Sequence, residues 1–224
     1  MESQKQQIDQ LAEQIIADGV CAELAGQATQ LVIGDGDPGS QIVFVGEAPG
    51  KQEDLQGKPF VGASGKFLDE MLASIGLERS QVYITNIVKY RPPGNRDPLP
   101  EEKRVFWPYL MRQLAIIDPR VIVTLGRHAM NCFISEGKIS QDHGRLRQVR
   151  LHRDGQTYLW QVLPLYHPAA ALYNGAMRQT LLDDFRKIKP LLDQPILVRG
   201  LCRLHTGIRC PEVIALGCEI RSTG

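Results

Sequence analysis

Short apolar runs alternate along this chain with longer segments whose apolar residues recur at helical spacing. Ile8, Leu11, Ile15 and Ile16 fall near that spacing and predict an amphipathic helix over residues 3–18, stopped by Gly19. GDGDPGS at 34–40 is turn chemistry. QIVFVG at 41–46 is a β-branched run that ends abruptly at GEAPG, the pattern of a buried strand. A helix over 64–77 follows, capped by Ser64, with Phe67, Leu68, Met71, Leu72 and Ile75 on its apolar face. VYITNIV at 82–88 predicts a second strand, and the prolines of YRPPGNRDPLP predict a rigid loop. A helix over 100–117, a third strand over 121–126 and a helix through GRHAMNCFI come next. A fourth strand lies within YLWQVLPLYHP, and a last helix spans about 174–188.

Strands that are short and almost wholly apolar, each followed by a helix, are buried on both faces. The expected fold is therefore a three-layer α/β/α sandwich with a short, mainly parallel, four-stranded central sheet, filling one domain over 1–190. Such sheets bind ligands at the carboxyl ends of their strands. Three chemically distinctive segments end up there: GEAPG after the first strand, Asn86 late in the second and His167 after the fourth. Residues 191–224 have no clean period and are read as a tail of uncertain structure. The tail holds Cys202, Cys210 and Cys218, whose spacing matches no common zinc motif; an adventitious tail without metal is expected, with metal binding as the alternative.

Charge removes one easy explanation. Lys and Arg number 26 against 25 Asp and Glu, so any nucleic-acid contact must come from locally placed groups, not bulk charge. No apolar run approaches the roughly 18 residues of a membrane span, and the N-terminus MESQKQQIDQ is polar. Five cysteines make no disulfide framework. A cytoplasmic location without membrane contact is the expectation.

GEAPGKQED, GKPFVGASGKFLD, VYITNIVKYRPPGNRDP and LYHPAAAL occur in this order, and together they resemble the family 4 uracil-DNA glycosylases over roughly residues 30–190. The resemblance implies a monofunctional repair enzyme that hydrolyses the N-glycosidic bond of uracil in DNA and leaves an abasic site. No lysine is placed as a Schiff-base nucleophile, so strand cleavage is not expected. The implied partner is uracil-containing DNA, single- or double-stranded, bound by a monomer. A glycosylase takes the base out of the stack into a fitted pocket, here lined by Gly46, Glu47 and Ala48. Phe60 would stack on the flipped base; alternatively it is a core Phe beside Val61. The Asn86 amide would accept from N3–H and donate to O4, a pairing that cytosine mismatches at both atoms; alternatively it caps strand-end backbone. His167 would donate to O2 as negative charge develops there. His128, His143, His152 and His205 are read as structural or solvated.

The attacking water needs a carboxylate or its equivalent. Glu53 stands slightly ahead, with Glu47 and Asn95 as the other candidates and Asp54 close by. Glu47 lies inside the tight turn and could instead fix its backbone. In the best-known glycosylase family the water-activating Asp stands where this chain has Ala48. Gly62, Ser64 and Gly65 would meet phosphates. Ala170 and Ala171 would permit close approach to the minor groove, and Leu172 would serve as a wedge; alternatively this segment simply starts the last helix.

The chain departs from the family at one feature. Family 4 enzymes carry four cysteine ligands for a [4Fe–4S] cluster, and the corresponding positions here are Gly19, Ala22, Tyr90 and Phe106. Cys21 is off register by one. A cluster needs thiolates or rare substitutes, so none is expected as cofactor. Two further readings stay open: a catalytically weak DNA-binding or damage-sensing protein, and a glycosylase for another deaminated base.

Overall fold

The structure, a computed structural model, describes residues 2–153 and 156–193. The tail at 194–224 lies outside the described residues, and so do three of the cysteines and His205. Among the described residues six strands form one sheet in the order β1-β3-β2-β4-β6-β5: β1 (Asp35–Gly36), β2 (Ile42–Gly46), β3 (Tyr83–Asn86), β4 (Val121–Leu125), β5 (Arg147–Arg153) and β6 (Gln156–Leu165). β3, β2, β4 and β6 are the four anticipated strands and run parallel; β1 and β5 are antiparallel additions at the two edges. The expectation of four strands is thus corrected to six. β1 is only two residues long and sits inside the stretch read as a turn. Its Gly36, at φ +111°, lies so close to Val82 that a Cβ would fall 2.0 Å from the Val82 carbonyl oxygen.

Both faces of the central strands are covered, and every residue of β2, β3 and β4 is buried. Successive side chains point to opposite faces. On one face Val43, Val45, Ile122 and Val162 pack with α1 (Gln4–Ala17), α5 (Pro100–Ile117) and α6 (Arg127–Phe133). On the other, Ile42, Phe44, Val123 and Leu163 pack with α4 (Ala63–Ser74), α8 (Gly175–Arg186) and Ile188 of α9 (Ile188–Asp193). Two short helices, α2 (Ala22–Ala25) and α3 (Lys51–Gln56), precede α4 along the chain, and α7 (Ile139–Asp142) precedes β5.

Local chemistry sets the helix ends. Ser3 caps α1 through a reciprocal capping box with Gln6, and Ile8, Leu11 and Ile15 are buried while Ile16 is exposed. α4 begins one residue before Ser64, with Gly62 as its N-cap and no side-chain cap. Asn174 caps α8 by accepting from the amides of Ala176 and Met177.

The chain leaves β2 for β3 on one side and then returns to β4 on the other. In sheets of this kind such a reversal marks the ligand-binding position, here at the carboxyl ends of β2 and β4. Glu47 follows β2 there, and Gly126 follows β4. His167 lies alongside: a Cβ on Gly126 would sit 3.1 Å from that of His167.

Candidate active site

Gly46 and Asn86 are partners in the last rung of the β2–β3 ladder. A Cβ on Gly46 would lie 2.3 Å from Asn86 Oδ1 and 2.6 Å from Phe60 Cε2. Only glycine lets the amide and the ring converge here. Asn86 is 2% exposed, and its Oδ1 is buried without a hydrogen-bond partner among the described residues. A buried polar atom left unpaired is costly and calls for a ligand or another explanation. Behind it, the fully buried Lys89 donates from Nζ to the Asn86 carbonyl, Thr85 Oγ1 and Gln113 Oε1, each at 2.7 Å. Burial holds the Lys89 amine well below its ordinary value.

Phe60 is buried, yet its backbone adopts φ +53°, a conformation that non-glycine residues rarely take. Two charged side chains hold it there. Arg79 donates to the carbonyls of Pro59 and Phe60 and pairs with Asp69 and Asp35. Glu53 Oε1 accepts from the amides of Val61 at 3.0 Å and Gly62 at 2.9 Å. Gly65 closes the loop from below, since a Cβ there would fall 1.8 Å from the Phe60 carbonyl oxygen. The Phe60 ring stacks on the His167 ring at 5.6 Å between centroids.

His167 is the N-cap of the 3-10 turn Pro168–Leu172, and its Nδ1 accepts from the Ala169 amide at 3.1 Å. That bond places the proton of a neutral ring on Nε2. Burial lowers His167 to about 4, against a weaker opposing pull from Glu53. The ring is therefore a neutral donor through the physiological range.

The carboxylates divide sharply. Asp54 is spent on the Thr29 amide and hydroxyl, each at 2.8 Å. Glu53 is engaged by the Phe60 loop. Glu47 Oε1 has no hydrogen-bond partner; His128 Nδ1 faces it at 3.6 Å, too long for a direct bond. Burial first, and then the charge of Asp97, raise Glu47 to about 7. Asn95 sits on an exposed turn at φ +57° and accepts from Arg91 Nε at 2.7 Å. No hydrogen bond among the described residues joins it to Glu47, Asn86 or His167. Ala48 is partly buried against the core.

On the DNA-facing candidates, Gly62 has its amide taken by Glu53, and Gly65 is required for packing. Ser64 is partly exposed in the first turn of α4. Ala170 is partly buried, Ala171 is buried in the core, and Leu172 is 42% exposed beside Tyr173 at 91%. Arg79, Lys89 and Asp97 gave no signal in the sequence; His128, read there as structural or solvated, accepts from Arg127 Nε at 3.1 Å and lies 3.1 Å from Asp97. Arg79 lies 19 residues from Phe60 and no local pattern joins them. His128 carries no motif, although it sits at the start of the helix that follows a parallel strand, where ligand sites collect.

At the positions of the family's cluster ligands the residues do not suit iron and sulfide. Tyr90 and Phe106 are buried edge-to-face at 5.9 Å, and Gly19 and Ala22 offer no ligand atom. Burial pushes the nearby Cys21 thiol up, away from the thiolate a cluster needs.

Comparison with known proteins bears on the same residues. A profile of the uracil DNA glycosylase superfamily matches residues 33–189. A type-4 uracil-DNA glycosylase of Archaeoglobus fulgidus is 48% identical over 189 residues, covering 82% of this chain and 92% of that protein. That of Sulfurisphaera tokodaii is 46% identical, covering 84% and 86%. That of Thermotoga maritima is 41% identical, covering 73% and 84%. The chain belongs to the uracil-DNA glycosylase superfamily, among its type-4 members.

Proposed function

We propose that this protein repairs DNA by excising uracil, hydrolysing the N-glycosidic bond to leave an abasic site without cutting the strand. The observation that carries this reading is the Asn86 Oδ1, buried and unpaired beside the Phe60 ring and the bare backbone of Gly46. Uracil N3–H supplies the missing donor, and O4 takes a bond from the Asn86 amide nitrogen. Cytosine would set its N3 acceptor against Oδ1 and its N4 donor against the amide N–H. Excision from a uracil-containing oligonucleotide tests the reading directly. Asn86→Asp is expected to lower uracil excision on the order of 10²-fold or more, because a site built around hydrogen bonds rejects mismatched groups strongly. Equal wild-type and variant rates on uracil, with cytosine still refused, would make Asn86 merely structural.

Bond cleavage moves an electron pair toward the base and leaves a cationic sugar. His167 Nε2–H donates to O2 and stabilises that charge without being protonated. Glu47 attracts the cationic sugar and takes the proton of the attacking water. Its Oε1 has no hydrogen-bond partner among the described residues, whereas Glu53 is the positioning residue that holds the loop of Phe60. This ordering reverses the sequence-based preference for Glu53. The free carboxylate and the neutral donor favour an enzyme over a damage sensor.

DNA contacts come from Ser64 at the start of α4 and from Leu172 and Tyr173 beyond His167, with either strand state accepted by a cytoplasmic monomer. Among the described residues no helix is long and apolar enough to cross a membrane. No cluster takes part: the residues at its positions do not fit it. Purified protein is expected to be colourless, without the broad absorption near about 400 nm of a [4Fe–4S] centre. Iron and sulfide assays showing about four of each per chain would reverse this.

A further inference from the structure

Lys89 lies three residues beyond Asn86 in the chain and is 0% exposed. A lysine is almost never fully buried unless its amine has partners to hold. Here the partners are neutral oxygens: the Asn86 carbonyl, Thr85 Oγ1 and Gln113 Oε1, each 2.7 Å from Nζ. Behind them, Thr85 Oγ1 donates to the Ile33 carbonyl at 2.7 Å. Gln113 Nε2 donates to the same carbonyl at 2.8 Å and to the Tyr83 hydroxyl at 3.0 Å. Thr85 and Gln113 are also 0% exposed. The network thus ties Lys89 to β3, to α5 and to the segment that leads into β1.

The Asn86 carbonyl needs such a partner. Ile87 donates to the Gly46 carbonyl, so the backbone groups of Asn86 itself face away from β2. On that other side β1 pairs only with Tyr83 and Ile84 and ends short of Asn86. Lys89 supplies the donor that a neighbouring strand would otherwise bring. Left open, the carbonyl would be a buried acceptor without a donor, which is costly. It would also be an acceptor toward which the Asn86 side chain could turn, since Asn amides readily bond nearby backbone.

We propose that Lys89 is a positioning residue for base selection, holding the Asn86 carbonyl so that the side-chain amide stays presented to the base. The inference rests on the reading of Asn86 as the group that pairs with uracil. There is little slack at this point: Asn86 Oδ1 and Phe60 Cε2 both lie within 2.6 Å of where a Gly46 Cβ would stand. A displacement of about 1 Å in a group aligned with the reacting molecule is enough to cost about 10²-fold in rate. The Lys89 amine, enclosed by protein oxygens, acts through Asn86.

The test is a double-mutant cycle on the full chain, read by single-turnover excision, free-uracil affinity and melting temperature. Lys89→Met keeps an unbranched side chain of similar length and removes its donors. It is expected to lower excision and free-uracil affinity each by about 10-fold or more, with affinity for undamaged DNA unchanged. In an Asn86→Ala background the same substitution should lower neither quantity further. Losses that multiply across the two backgrounds would overturn the proposal, and so would a Lys89→Met protein with wild-type excision and uracil affinity. Gln113→Met deletes the neighbouring bonds and keeps that from Lys89 to Asn86, so it should lower the melting temperature and leave uracil affinity in place. An equal loss of uracil affinity there would assign the effect to packing and overturn the proposal too. If Lys89→Met does not fold, Lys89→Met combined with Gln113→Met removes donor and acceptor together, leaves Thr85 bonded to Ile33, and is read in the same cycle. Wild-type excision by Asn86→Ala would instead remove the reading beneath the proposal.

Discussion

Glu47→Gln is expected to lose excision activity by on the order of 10²- to 10⁴-fold and to melt at a higher temperature than wild type at about pH 8. The two effects share one cause. Glu47 is held at about 7 by burial and by Asp97, well above its ordinary 4.5. A carboxyl with a raised folded-state value favours folding when protonated. Its contribution is complete below the unfolded value and is lost as pH rises through about 7. At alkaline pH the wild-type protein therefore carries a buried charge that glutamine does not. The two melting curves should converge near the ordinary carboxyl value, where the wild-type side chain is neutral too. Rates and melting temperatures at both pH values decide the matter. A variant that is less stable at alkaline pH, or fully active, would show that this carboxylate only braces the turn.

His167→Ala is expected to slow single-turnover excision by about 10²-fold or more, the usual cost of losing one donor aimed at developing charge, with little change in DNA affinity. Because burial sets His167 at about 4, it stays neutral wherever the enzyme is assayed. The acid limb of the wild-type pH profile should consequently follow Glu47, and the residual activity of the variant should keep the same limb. Single-turnover rates across pH provide the check. An unaltered rate would take His167 out of the chemistry, and a limb that vanished with it would mean that His167, not Glu47, is the titrating group.

How much of this was legible beforehand depended on whether the cause was local. β2, β3 and β4 announced themselves because burial on both faces leaves a nearly unbroken apolar run, as in Ile42–Gly46. The edge strands did not. β5 reads RQVRLHR, in which Val149 and Leu151 alternate with charged or polar residues, the mark of an edge facing water. β1 is hidden in Gly-Asp turn chemistry. Phe60, Asn86 and His167 stood out through their motifs; the fold brings Asn86 and Phe60 together at Gly46 and stacks Phe60 on His167. Which of Glu53 and Glu47 keeps an unclaimed oxygen was not legible, because it turns on the Val61 and Gly62 amides, which fold back onto Glu53. Arg79 was invisible for the same reason: it acquires its role from the carbonyls of Pro59 and Phe60, brought near only by folding.

The loop carrying Phe60 is fastened from both sides by Arg79 and Glu53 and from below by Gly65, all within the protein itself. Its ordering entropy is consequently met when the chain folds, not when DNA arrives. An extruded base then meets a finished wall. Discrimination should be as sharp for a free base in solution as for one tethered to a strand, and encounter with DNA need not wait for this part of the protein to rearrange.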